Sequence, residues 1–122
     1  KEIIARYDEA LRPLSVESLN HFTDDHESSG HLYICRVPGA DLARRNAIII
    51  EMAEAGVATN VHYKPLPMHT AYKNLGFDIA DFPNAYAHFE NEVTLPLHTC
   101  LTDEEVAYVI DSFKACLSGT CA

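Results

Sequence analysis

At 122 residues the chain is long enough for one domain with a real core, and 48% hydrophobic against 22% charged residues is globular rather than disordered composition. Eighteen Asp and Glu against nine Lys and Arg leave a net charge of −9, spread along the chain, which argues against a nucleic-acid backbone or an anionic membrane surface as partner. Apolar runs such as Ala47–Ile50 are far too short to span a bilayer.

Ile3, Ile4, Tyr7, Ala10 and Leu11 recur at helical spacing, and Pro13 stops that helix. The chain opens on Lys1 without an initiator Met or signal sequence, so residues 1–12 read as the tail of a longer helix. His31–Val37 alternates as a strand should and ends at Pro38-Gly39. Asp41 can N-cap a helix running to about Ala55, with Leu42, Ala43, Ile48, Ile49 and Met52 as its buried stripe and Gly56 as a left-handed C-cap. Val57–Tyr63 is short and β-branched, and is expected to be a strand closed by Pro65.

Residues 69–76 and 83–91 are expected as short helices, the second leading into a strand at Val93–Pro96. Thr102-Asp103-Glu104-Glu105 has the spacing of a capping box, and Val106, Val109, Ile110 and Phe113 give the last helix an apolar face. This order predicts an α/β chain, an α+β two-layer sandwich whose small sheet carries helices over one face. The other face would be exposed or serve as an interface.

The richest stretch is Val61-His62-Tyr63-Lys64-Pro65-Leu66-Pro67-Met68-His69. In a strand His62 and Lys64 would share one side and Tyr63 would take the other, with Pro65 leaving them at a rim. An imidazole beside a cation can hold a phosphate, carboxylate or sugar hydroxyl. The plain alternative is a His packed at a sheet end beside a solvated Lys. His21, His26, His31 and His88 are expected in solvated loops or beside acids, and Arg36, Arg44 and Arg45 as strand-end and helix-surface charges.

Seven His and four Cys raise a metal question, but His62-x6-His69, Cys116-x4-Cys121 and His98/Cys100 match no recurrent zinc spacing, so no metal is expected. The four cysteines, with no secretion signal, are expected to be reduced thiols of a cytoplasmic protein. Glycine-rich nucleotide loops and a Gly-x-Ser-x-Gly elbow are absent, and Asp24/Asp25 sit in a polar loop. No complete catalytic set can be assembled.

Ser29-Gly30-His31-Leu32-Tyr33, Ala55–Leu66 with its His-Tyr-x-Pro element, Ala71-Tyr72, Phe82-Pro83-Asn84-Ala85, Leu95-Pro96-Leu97-His98 and Leu101–Val106 together resemble the C-terminal part of the DegT/DnrJ/StrS-type aminotransferases, in order and over nearly the whole chain. The resemblance implies the small C-terminal domain, residues 13–122, of the fold-type I pyridoxal-phosphate transferase fold, with residues 1–12 the end of an interdomain helix. It implies a parent enzyme, a homodimer, that takes an amino group from glutamate onto pyridoxal 5'-phosphate and passes it to a keto nucleotide-sugar. The Schiff-base lysine would belong to a large domain, since Lys1, Lys64, Lys73 and Lys114 lie in no matching context. No catalytic residue and no bound cofactor are therefore expected in this stretch. Substrate contacts are expected at His62 first, then Tyr63, Lys64 and His69. Pro65–His69 carries an extra residue against the family's usual spacing, which weakens the match at His69.

Two other readings stand beside this one. A cofactor-dependent dehydratase or a regulator of the same family would differ at the missing lysine, and a self-standing α/β ligand-binding module would carry no chemistry. A small domain alone is also expected to expose an apolar interdomain face and to self-associate.

Overall fold

The computed structural model describes residues 1–119, so the expectation for Cys121 lies outside the described residues. In the described residues five α-helices and three strands follow in the order α1 (Glu2–Leu11), β1 (Glu17–Ser18), β2 (Tyr33–Arg36), α2 (Leu42–Glu54), α3 (Thr70–Asn74), α4 (Pro83–Phe89), β3 (Glu92–Leu95) and α5 (Asp103–Ser118). The sheet is antiparallel in the order β1-β2-β3.

Register decides what each face of the sheet does. Tyr33 lies opposite Leu95 and Cys35 opposite Val93, and all four are buried. They meet Ile4, Tyr7 and Leu11 of α1, Ile48 and Met52 of α2, and Val106, Val109, Ile110 and Phe113 of α5 in one core. α1 belongs to that core, and the Tyr7 hydroxyl donates to the Pro96 carbonyl at 2.7 Å. Burial pushes the Tyr7 phenol up to about 12.

The alternate residues, Ile34 opposite Thr94 and Arg36 opposite Glu92, take the outer face. That face was expected to be bare or an interface. α4 covers part of it, the 60–62 segment pairs along its edge at β3, and Ile34 and Arg36 stay half-buried. Arg36 donates to the Ala87 carbonyl and the Asn91 side chain, both at 3.0 Å, and Glu92 and Thr94 are buried.

Helix ends follow their local chemistry. The Asp41 carboxylate accepts from the Arg44 N–H at 2.8 Å, and Gly56 adopts φ +77 just beyond α2, where a Cβ would be strained. The Thr102/Glu105 capping box is complete in both directions.

Four expectations need correction. Val57–Tyr63 forms no strand: only Asn60 pairs, in a single antiparallel bridge to Thr94, so the face alternation assumed for His62, Tyr63 and Lys64 does not hold. Ala43 is exposed, and the buried stripe of α2 runs through Arg45, Ile48 and Met52. Arg45, expected on the helix surface, is 2% exposed and lies over the Phe89 ring at 4.7 Å. Burial holds its guanidinium below the ordinary range, and the Glu92 charge pulls it back. His21, expected to be solvated, is buried, stacked on Tyr33 with ring centres 5.7 Å apart and with Nδ1 at 3.0 Å from the Ser28 hydroxyl.

Candidate functional site

The site grows from the outer edge of β3. Asn60 and Thr94 exchange both backbone hydrogen bonds, at 3.2 and 2.8 Å, and this pins the extended segment to the sheet two residues before His62. The His62 N–H then donates to both oxygens of Glu92, each at 3.1 Å. The His62 Nδ1 lies 2.9 Å from Thr94 Oγ1, and that hydroxyl donates to Glu92 at 2.7 Å. Glu92 and Thr94, two apart on one strand, therefore face the same side and clamp His62 by its backbone and by its ring.

The ring of His62 helps to line an open cleft of about 290 Å³, with His31, Thr59, Asn60, Thr94 and Pro96 around it. His62 Nε2 makes no hydrogen bond among the described residues, and the buried Thr59 hydroxyl has no partner there either. A neutral imidazole with one free nitrogen can accept a hydrogen bond, and a protonated one can hold an anion. The cleft is mixed in character, with Leu32, Ala58, Leu95 and Leu97 lining it beside these polar groups.

The other expected contacts are arranged less tightly. The His62–Tyr63 peptide is cis, the two rings stand edge to face with centres 4.7 Å apart, and Tyr63 is 72% exposed. Lys64 is exposed. His69 is also exposed, its Nε2 3.3 Å from the Lys64 carbonyl, so it closes the Leu66–Met68 turn and does not line the cleft. The structure thus brings His62 into a cleft, whereas Tyr63, Lys64 and His69 are exposed and none of the three lines it. Glu92 and Thr94 were missed by sequence reasoning. The one available signal was a polar-apolar alternation, Glu92-Val93-Thr94-Leu95, in a segment bounded by Pro96.

A pyridoxal cofactor would need a lysine amine and an acid or arginine for its ring nitrogen. No lysine and no carboxylate line the His62 cleft, so the residues present do not fit the cofactor by themselves. Among the described residues there is also no group of three or more His, Cys, Asp or Glu that could hold a metal ion, and no helix long and apolar enough to cross a membrane.

Comparisons with known proteins agree on one relationship. The chain is 30% identical over 122 residues to the spore coat polysaccharide biosynthesis protein SpsC of Bacillus subtilis, covering 98% of this chain and 31% of that one. It is 26% identical over 117 residues to the UDP-4-amino-4,6-dideoxy-N-acetyl-beta-L-altrosamine transaminase of Campylobacter jejuni, covering 96% and 31%. The solved structure of Spr1654 from Streptococcus pneumoniae in its PMP-form, described as a sugar aminotransferase, superposes with a TM-score of 0.94 at 57% identity, covering 98% of this chain and 30% of that one. The chain therefore spans under a third of the length of these relatives. With the family's own signature matching residues 1–114, the chain belongs to the DegT/DnrJ/EryC1/StrS aminotransferase family.

Proposed function

We propose that residues 13–122 are the small domain of a pyridoxal-phosphate-dependent aminotransferase acting on keto nucleotide-sugars, with residues 1–12 the end of the helix that joins it to a large domain. The observation that carries this reading is His62, clamped by Glu92 and Thr94 at the edge of an open cleft with Nε2 unpartnered. Solved relatives in PMP- and PLP-forms support the cofactor, and a transaminase of a UDP-sugar among the relatives supports the substrate class. The cofactor would supply the electron sink, and this chain would supply position.

His62 orients the sugar or its phosphate at the mouth of the active site, and Tyr63 and Lys64 border it. His69 is the weakest of the four, because its ring closes the Leu66–Met68 turn. Glutamate as amino donor and a homodimeric parent complete the reading. Free thiols at Cys35 and Cys100 support a reducing, cytoplasmic setting.

The test is kinetic and uses the polypeptide of full family length. His62→Ala lowers kcat/KM for the keto nucleotide-sugar by about tenfold, the scale of one hydrogen bond to the substrate. The half-reaction with glutamate is unchanged. An equal loss in both half-reactions, or none in either, overturns the reading.

A further inference from the structure

The hydrogen bonds around His62 contain more than its position, because each donor there has a limited supply of protons. Thr94 Oγ1 carries one proton and lies 2.7 Å from Glu92 Oε1 and 2.9 Å from His62 Nδ1. An ionised carboxylate only accepts, so the threonine proton goes to Glu92. The threonine oxygen then meets the ring with lone pairs alone, and the proton between them must belong to His62 Nδ1.

Two features give Glu92 the partners of an accepting carboxylate. The His62 N–H donates to both of its oxygens, so both act as acceptors. The buried guanidinium of Arg45 also interacts with the Glu92 charge. Both reach a side chain that is 0% exposed, where they stand in for the solvation that burial removes.

We propose that Glu92 and Thr94 are positioning residues that hold His62 as the Nδ1–H tautomer and leave Nε2 a hydrogen-bond acceptor toward the cleft. The chain Glu92 carboxylate, Thr94 hydroxyl, His62 Nδ1–H is a fixed relay in which every proton has one direction. The tautomer of a histidine is set by what its other nitrogen bonds, and here that partner is set in turn by a buried carboxylate. The consequence for a ligand is chemical discrimination. Neutral His62 accepts from a hydroxyl, such as a sugar hydroxyl, and offers nothing to a phosphate oxygen. An anion is held only after the ring takes a second proton from solvent, on Nε2. This consequence rests on the cleft being the sugar site; the tautomer does not.

Long-range proton–nitrogen NMR of the ¹⁵N-labelled 122-residue chain reads the tautomer directly, at a pH where the His62 ring is neutral. The expected spectrum shows a pyrrole-type Nδ1 and a pyridine-type Nε2. Thr94→Val, which keeps the shape but removes the hydroxyl, abolishes that preference, while Thr94→Ser retains it. A pyridine-type Nδ1 in the unsubstituted chain overturns the proposal whatever the variants do, as does a Thr94→Val spectrum unchanged in a folded chain. If Thr94→Val fails to fold, the unsubstituted chain and Thr94→Ser decide the matter. The His62→Ala kinetics fail or succeed separately, so a wrong substrate class and a wrong tautomer give different results.

Discussion

Burial separates the cysteines of this chain more sharply than their sequence neighbourhoods do. Cys35 sits on the inner face of β2, donates to the Val93 carbonyl at 3.2 Å, and has its thiol pushed well up, first by burial and then by the Glu92 charge. Thiolate is the reactive form, so Cys35 is protected twice, by access and by ionisation. Cys100 is exposed in the loop before α5. Brief treatment of the native chain with iodoacetamide at pH 8, followed by peptide mass mapping, is expected to label Cys100 and leave Cys35 unmodified until denaturant is added. Comparable labelling of both in the native chain would show that β2 opens far more readily than its packing implies. The same residue scale explains what the sequence hid. Arg45 and Glu92 are charged types whose default place is the surface, and only a three-dimensional arrangement that supplies Phe89 to one and His62 and Thr94 to the other takes them inside.

Among the elements, the helices are the part a reader of the sequence recovers, because their signals are local. α5 shows this best. Thr102 accepts from the Glu105 N–H at 3.2 Å and the Glu105 carboxylate accepts from the Thr102 N–H at 2.8 Å, so two otherwise free donors of the first turn are satisfied. Arg6 of α1 holds the same turn, donating to the Asp103 side chain at 2.7 Å and to its carbonyl at 3.0 Å. Thr102→Ala is expected to cost about 1 kcal/mol in denaturant unfolding.

The Glu105 carboxyl is held below the ordinary range by its hydrogen bonds to Thr102. A depressed folded value means its contribution is present above the unfolded carboxylate range, about 4.3, and is lost as pH falls through the folded value. The stability gap between the native chain and Glu105→Ala should therefore close on acidification, and a gap that widens toward acid would contradict the cap. Strands are less legible for a physical reason. Val57–Tyr63 has every local mark of a strand, yet a strand is a relation between two chains of backbone, and only Asn60 finds its partner. β1 is two residues long and was invisible, since nothing in Glu17-Ser18 alone announces pairing with β2. The site followed the same division: His62 was legible by its residue type and its Pro-stiffened surroundings, whereas its clamp depended on register.

At the scale of the whole molecule, two forces with opposite signs act between copies of this chain. The stretch from Pro65 to Ala85 carries an apolar hollow of about 360 Å³ lined by Pro65, Leu66, Pro67, Tyr72, Phe77, Phe82 and Ala85, and Leu66 is 57% exposed. Burying such a surface against a second copy is favourable by roughly 25 cal/mol per Å² of apolar area. Against it stands a net charge of −9 on each copy. Salt changes the balance in one direction, since the screening length falls from about 10 Å at 0.1 M to about 3 Å at 1 M while apolar burial is untouched or strengthened. The purified chain is therefore expected to self-associate with rising concentration, and more so in high salt. Sedimentation velocity at low and high sodium chloride reads this directly. Leu66→Ser with Phe82→Ser, both at exposed positions, should return the chain to a monomer without loss of helical signal. A chain that stays monomeric in high salt at millimolar concentration, or whose association ignores that double substitution, would place its contacts elsewhere and remove the apolar hollow as their cause.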